Sequence, residues 1–178
     1  YTPAIYKTTN YGKTWTNIST GIPYGAYTRV VREDTQRKDL LFAGTELGMY
    51  ISWNGGKKWE SFQLNLPITP ITDLKISHDD LTIATMGRSF WILDDLGLLR
   101  QFQGSKTNFN LLRPEDAIIG NWGSQLNYSS ADFSGSNDSA GVNPANGIVF
   151  YYFIPNQLKN KELALEIFDK DGNLVRTI

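Results

Sequence analysis

Few side chains in this sequence combine a type and a spacing that could support chemistry. Two of them lie in similar positions, each between two strand-like runs. Glu46 lies between two strand-like runs, and Arg88 lies in a similar break about forty residues further on. Asn65 falls in the connection between these regions. Glu46 and Arg88 could hold a polar ligand or each other, although an exposed ion pair contributes little to stability. We therefore treat Glu46, Arg88 and Asn65 as candidates for a ligand-binding face.

No complete catalytic or metal site is visible, so we assign no catalytic residue, metal ligand or cofactor. A glycosidase needs two carboxylates flanking the scissile bond, but 18 acidic residues make chance pairs such as 79–80 and 94–95 easy to find. The lone histidine, His78, excludes mechanisms that need two imidazoles, and the absence of cysteine excludes thiolate chemistry. Residues 169–173 lack the EF-hand spacing and predict a hairpin turn.

The overall composition favours a folded chain with short strands. Apolar residues make up 40% of the 178 residues, enough to form a core. The 17 basic residues nearly balance the acidic ones, and the net charge of -1 argues against binding nucleic acid or an anionic membrane through bulk charge. No apolar run reaches the length of a membrane span. Because the sequence opens at Tyr1 without a methionine or a signal peptide, we expect a piece of a longer protein.

A short motif that repeats along the chain reveals how it is organised. The motif reads hydroxyl, any residue, Asn, any residue, Gly, two residues, Trp, and its two tryptophans lie 44 residues apart. The first copy consists of Thr8, Asn10, Gly12 and Trp15, and the second of Ser52, Asn54, Gly56 and Trp59. A degraded third copy keeps Asp95 and Gly97, with Arg100 in the place of the tryptophan.

The residue types of this motif predict a tight turn. A side-chain oxygen of Asn accepts hydrogen bonds from backbone amides one or two residues ahead and so locks the turn. Gly12 and Gly56 supply the positive φ that other residues adopt at a cost. We expect Trp15 and Trp59 to pack back under their turns and to tie the flanking strands together.

Four strand-like runs occur in each period of about 41 to 44 residues. Breaks between them carry Gly, Asn, Asp or Pro, as turns require. The runs are 27–33, 40–45, 49–53 and 58–64 in one period, and 72–77, 81–86, 90–93 and 98–102 in the next. Four short antiparallel strands per period are typical of a β-propeller blade. We therefore predict an all-β fold with about two and a half four-stranded blades over residues 1–103.

The repeated turn resembles the Asp-box, or bacterial neuraminidase repeat, of sialidases, sortilin-type receptors and several glycoside hydrolase propellers. Asn replaces the usual Asp in both copies, which keeps the acceptor oxygen and loses the charge. In those families the Asp-boxes lie on the rim away from the ligand face. The resemblance therefore implies a structural role for the motif residues.

Three further stretches, 41–48, 64–67 and 84–95, resemble large secreted bacterial proteins with sortilin-like propellers, commonly labelled glycosyl hydrolases with such repeats. The resemblance implies a secreted or periplasmic bacterial protein. It also implies that 90–95 belong to the last blade before the chain leaves the propeller.

The composition of the sequence changes after the repeats. Residues 104–146 contain a run rich in Ser, Asn and Gly, which is typical of a linker. Strand patterns return in 147–155, 163–169 and 174–178. Residues 147–178 resemble the start of the immunoglobulin-like domain that follows such propellers. A sandwich of this kind needs about seven strands, so we expect only its beginning here.

Two classes of function remain open. The first is a non-catalytic scaffold or binding module that presents loops to a glycan or a protein. The second is part of a glycoside hydrolase, similar to xyloglucanases or sialidases, whose catalytic carboxylates lie outside this chain. We favour the first for these residues and leave open whether the parent protein is an enzyme. The expected partners are the remaining blades, from the parent chain or from another copy, and a glycan or protein ligand.

Overall fold

The computed structural model describes residues 1–102, 109–114, 116, 148–158 and 161–178. In this part of the chain, thirteen strands form five antiparallel sheets, and helix is confined to one α-helix of six residues and one short 3-10 turn. The prediction of an all-β protein is confirmed.

The first 102 residues contain three sheets that follow one another along the chain. The first sheet pairs two short strands, β1 (Tyr6–Lys7) and β2 (Thr16–Asn17). The second is a four-stranded meander of β3 (Thr28–Glu33), β4 (Leu41–Thr45), β5 (Gly48–Ser52) and β6 (Glu60–Ser61). The third contains β7 (Ile71–Ser77), β8 (Asp80–Thr85) and β9 (Phe90–Leu93), and helix α1 (Leu96–Gln101) follows it.

Two small sheets lie in the C-terminal part. Strand β10 (Asn110–Leu111) pairs with β11 (Tyr152–Phe153), and β12 (Glu166–Phe168) pairs with β13 (Leu174–Thr177). Most of the predicted linker 104–146 lies outside the described residues. Its described part contributes β10, whose partner β11 comes from the predicted second domain. The domain boundaries and the immunoglobulin-like assignment stay predictions.

The second and third sheets share details of their backbone. Each has a register shift near the start of its first strand, between Thr28 and Val30 in one and between Ile71 and Asp73 in the other. A β-bulge inserts one residue and increases the local twist. The two sheets are thus built from the same structural unit.

The larger hydrophobic core joins these two sheets. Phe42 and Ile51 from the second sheet, Leu74 and Leu81 from the third, and Leu96 from α1 belong to one buried cluster. The side chains that alternate inward along each strand therefore bury one sheet against the other. This shared core holds the loops of both sheets at one end in fixed positions.

One predicted strand is wrong. Residues 98–101 belong to helix α1, and Phe102 caps it, so 98–102 do not form a fourth strand of the third sheet. Leu96 and Leu99 are three residues apart on the helix and both contact the core cluster. Leu–Gly–Leu–Leu has no alternation that would show which period applies, so a short apolar run is ambiguous between helix and strand.

Candidate functional site

The first candidate residue, Glu46, lies in a cluster at the end of the second sheet. Both Nε and Nη2 of Arg29 donate to its Oε2, at 2.9 and 2.6 Å. Nη2 of Arg29 also donates to the hydroxyl of Tyr27 at 2.7 Å, and the guanidinium lies 5.1 Å from the centre of that ring. Glu46 is therefore held by a cation from its own sheet.

The hairpin that carries Glu46 is shaped by a buried threonine. The hydroxyl of Thr45 donates to the carbonyl of Gly48 at 2.9 Å and accepts a bond from the amide of Leu47 at 3.1 Å. The amide of Glu46 donates to the carbonyl of Tyr27 at 3.0 Å. These bonds bring the β4–β5 turn beside the start of β3, where Arg29 lies.

The charges in this cluster determine the protonation states of Glu46 and Tyr27. The hydrogen bond from Arg29, followed by that from Tyr27, lowers the pKa of Glu46 below its usual range. The same contact with Glu46, together with desolvation, raises the pKa of the Tyr27 phenol. At neutral pH the cluster therefore presents a carboxylate, a guanidinium and a neutral phenol. Such an arrangement suits hydrogen bonding to a polar ligand and does not suit proton donation by Glu46.

The other two candidates lie apart from this cluster. Arg88 is exposed in the β8–β9 turn, where its amide donates to Thr85 Oγ1 at 3.1 Å and its carbonyl accepts from Trp91 Nε1 at 2.7 Å. Within the described part of the chain, its guanidinium makes no hydrogen bond or ion pair. The possible contact between Glu46 and Arg88 is not formed, because Glu46 binds Arg29 instead. Asn65 lines a narrow recess of about 40 Å³ beside Trp91.

Exposed tyrosines flank the Glu46 cluster. Tyr1 is 87% exposed and Tyr24 79% exposed, and the Tyr1 ring meets Tyr27 edge to face at 5.7 Å. The carbonyl of Tyr1 accepts from the amide of Gly25 at 3.0 Å, which fixes the N-terminus beside this loop.

Arg29 and the three tyrosines were not among the predicted site residues. The usable signal was the register of the predicted hairpins, which places residues 27–29 beside 45–48.

The first copy of the repeated turn is built from side-chain to backbone hydrogen bonds. Thr8 Oγ1 accepts from the amide of Gly12 at 2.9 Å, and Asn10 Oδ1 accepts from the amide of Thr14 at 2.9 Å. Thr8 also donates to Asn10 Oδ1 at 3.1 Å. The asparagine thus reaches four residues ahead, further than the one or two we expected. The indole of Trp15 donates to the carbonyl of Gly12 at 3.1 Å.

The second copy repeats these bonds in the second sheet. Ser52 Oγ accepts from the amide of Gly56 at 2.9 Å, and Asn54 Oδ1 accepts from the amide of Lys58 at 3.0 Å. Its tryptophan behaves differently, because Trp59 Nε1 donates to the carbonyl of Ile18 at 2.5 Å. Gly12 and Gly56 have φ of 84° and 87°. The second turn is therefore attached to the segment that follows the first sheet.

At the third copy, helix α1 begins directly after Asp95, whose side chain makes no capping hydrogen bond, and Arg100 stands in the place of the tryptophan. Arg100, on α1, donates from Nε and Nη2 to both carboxylate oxygens of Asp34 at 2.9 Å, and it also binds Asp79. The Asp34 carboxylate is fully buried and accepts further bonds from the amides of Gln36 and Arg37. Burial alone would raise the pKa of Asp34, but the bonds from Arg100 and the two amides lower it.

A second recess lies between the first two turns. It has a volume of about 630 Å³, and its lining includes Lys7, Lys38, Lys57 and Asp39. Lys7 is 3.5 Å from the Asp39 carboxylate, so only part of the positive charge is compensated inside the recess. The recess lies at the turn end of the sheets, away from the Glu46 cluster.

No protein-family model matches this chain, and no curated protein matches it either. Within the described residues, no helix is both long and apolar enough to cross a membrane. Over the same residues, no group of three or more His, Cys, Asp or Glu side chains could hold a metal ion. Asp169 accepts from the amides of Asp171 and Asn173 in the turn between β12 and β13.

Proposed function

We propose that this chain is a repeat-built β-scaffold, part of a β-propeller, that binds a glycan at its loop end and catalyses no reaction itself. The observation that carries the proposal is the recurrence of one hydrogen-bonded turn in successive antiparallel sheets. Ser52, Asn54 and Gly56 reproduce the bonds of the first copy. Architectures built from stacked repeats are expected to contain the same local structure, here the same turn, at regular intervals.

The loop end offers the groups that a sugar would use. Tyr24 presents an exposed ring. The ion-paired Arg29 and Glu46 lie beside Tyr27, and their polar atoms could form hydrogen bonds with a ligand. Binding sites for small polar ligands commonly combine aromatic surfaces with a few oriented polar groups. Glu46 is ionised and its position is fixed by Arg29, which supports a binding role for this carboxylate.

The resemblance to Asp-box proteins supports the wider setting. On that basis the chain belongs to a secreted or periplasmic bacterial protein, and other blades would complete its ring. A parent protein with glycoside hydrolase activity would carry its catalytic carboxylates in those other blades. The loop-end site proposed here would then contribute to glycan binding.

The experiment measures binding and hydrolysis together on the 178-residue chain. Xyloglucan oligosaccharides and sialyllactose are titrated by calorimetry, and release of reducing sugar from both is followed in parallel. We expect binding without turnover, and we expect Tyr24→Ala to weaken it about tenfold, in line with the loss of one aromatic contact. Tyr11→Ala is the matched control, because Tyr11 is fully exposed at the opposite end of the sheets.

Two outcomes would contradict the proposal. Hydrolysis that Glu46→Gln abolishes would make this chain catalytic. Equal binding by the Tyr24 and Tyr11 variants, or no binding of either sugar, would remove the loop-end glycan site.

A further inference from the structure

Strand β9 forms the open edge of the third sheet and has two different faces. Trp91 and Leu93 pack against the hydrophobic core that joins the second and third sheets. Phe90 and Ile92 point the other way and are 76% and 62% exposed. Among the described residues β9 pairs only with β8, so an apolar strand of high β-propensity is left with one free edge.

The second sheet shows how such an edge is used. Thr45 and Thr85 make matching bonds in their hairpins, and these bonds align β9 with β5. On β5 the outer edge is filled by β6, where the amide of Phe62 donates to the carbonyl of Met49 at 2.9 Å. In this alignment Phe90 corresponds to Met49. The main-chain groups of Phe90, and of Ile92 two residues on, therefore point toward the free edge.

We propose that β9 is a self-association edge, on which β9 of a second copy of this chain pairs in antiparallel orientation. Such a pairing has twofold symmetry, so each copy gives and receives the same contacts. In an antiparallel pair, two residues directly opposite each other either both point their main-chain groups across the pair or both point them away from it. This condition is met when Phe90 lies opposite Ile92 of the second copy and Trp91 lies opposite its own equivalent.

Charge complementarity selects this register over its neighbours. Arg88 lies in the β8–β9 turn, two residues before the first residue of β9, and Asp94 directly follows its last residue; both are exposed. With Phe90 opposite Ile92, the turn that carries Arg88 in each copy lies beside Asp94 of the other. A shift of two residues in either direction would separate both charge pairs. Opposite charges and paired apolar side chains across strands are each stabilising.

Leu64 extends the apolar surface beside this edge. It is 67% exposed and lines the same small recess as Ile92 and Leu93. A second copy seated along β9 would cover part of this recess. The interface remains small, so association should be concentration-dependent rather than permanent.

The proposal is tested by the mass of the chain in solution. Sedimentation analysis is run from about 5 to about 300 µM, a range suited to weak, small interfaces. We expect the average mass to rise toward twice the 20.1 kDa of one chain. Ile92→Lys should weaken association about tenfold or more, because a charge on the edge opposes pairing. Tyr6→Lys is the matched control, since Tyr6 is 57% exposed on β1 of the first sheet.

A charge swap tests the register itself. Arg88→Asp and Asp94→Arg should each weaken association, and the double variant should restore it, because the charge pairs reform with reversed sign. Circular dichroism checks that each variant is folded. A monomer at the highest concentration would overturn the proposal. Association that neither Ile92→Lys nor the single charge variants weaken would overturn it too, since the contact would then lie on another surface.

Discussion

The two copies of the repeated turn have nearly identical internal hydrogen bonds and very different surroundings. In both, the hydroxyl accepts from the glycine amide and the asparagine accepts from the amide four residues ahead. Trp59 of the second copy is 1% exposed, whereas Trp15 of the first is 60% exposed. The same local sequence thus forms the same turn in a buried and in an exposed setting.

The difference lies in what each turn packs against. The indole of Trp59 bonds to the Ile18 carbonyl, and its backbone amide donates to the carbonyl of Thr20 at 2.8 Å. Trp15 instead bonds back to Gly12 within its own turn. Local hydrogen bonds therefore shape the turn, while contacts with the preceding unit give the tryptophan its contribution to stability.

The largest contrast is expected from removing the two indoles. Trp59→Ala should lower the free energy of unfolding by about 3–5 kcal/mol, because it empties a filled core position and frees the Ile18 carbonyl. Trp15→Ala should lower it by less than about 1 kcal/mol, as is usual for exposed sites. Urea denaturation of both variants gives the two values. Similar losses would show that the tryptophan acts mainly within its own turn.

Residue types and spacing were enough to predict what is local. The turn motif, the strands of the second sheet and the all-β class all follow from side-chain chemistry and from short-range periodicity. The predicted strand 58–64 was too long, since β6 spans only Glu60–Ser61. Trp59 and Phe62, which flank β6, pack into two different hydrophobic clusters instead.

What could not be predicted depends on contacts between distant residues. Helix α1 carries Arg100, which binds Asp34, a residue 66 positions away in sequence. Glu46 is held by Arg29 because the hairpin register brings the start of β3 beside its loop. In both cases the sequence shows a charge, and only the fold identifies its partner. For this reason Arg88 was predicted as a possible partner of Glu46 when Arg29 lies closer.

A smaller contrast is expected from the turn glycines. Both have positive φ, so a methyl group costs about 1 kcal/mol at either site. At Gly56 a Cβ would also lie 2.5 Å from Ile18 Cδ1, whereas at Gly12 the nearest atom lies 3.8 Å away on Trp15. Gly56→Ala should therefore lower the free energy of unfolding by about 2–3 kcal/mol in total, and Gly12→Ala by about 1 kcal/mol.

Thermal and urea unfolding of the two alanine variants measure this difference. Equal losses would mean that Ile18 moves aside easily. The second turn would then be less firmly attached to the preceding segment than the Trp59 contacts indicate.

The last contrast concerns the third position, where Arg100 stands in the place of the tryptophan and binds Asp34. Asp34→Asn removes the carboxylate that Arg100 binds and should cost about 1–2 kcal/mol at neutral pH, while Asp79 still holds the guanidinium. The lowered pKa of Asp34 means that its contribution is complete well above the unfolded value of 3.8 and disappears as the pH falls through the folded value. The difference between wild type and Asp34→Asn should therefore narrow below pH 3.8, whereas the Trp59→Ala deficit should not follow this titration. Urea unfolding of the three proteins between neutral and acidic pH makes the measurement. A wild-type advantage over Asp34→Asn that stays constant with pH would show that Arg100 attaches α1 through packing, as Trp59 attaches the second turn, and that its charge contributes little.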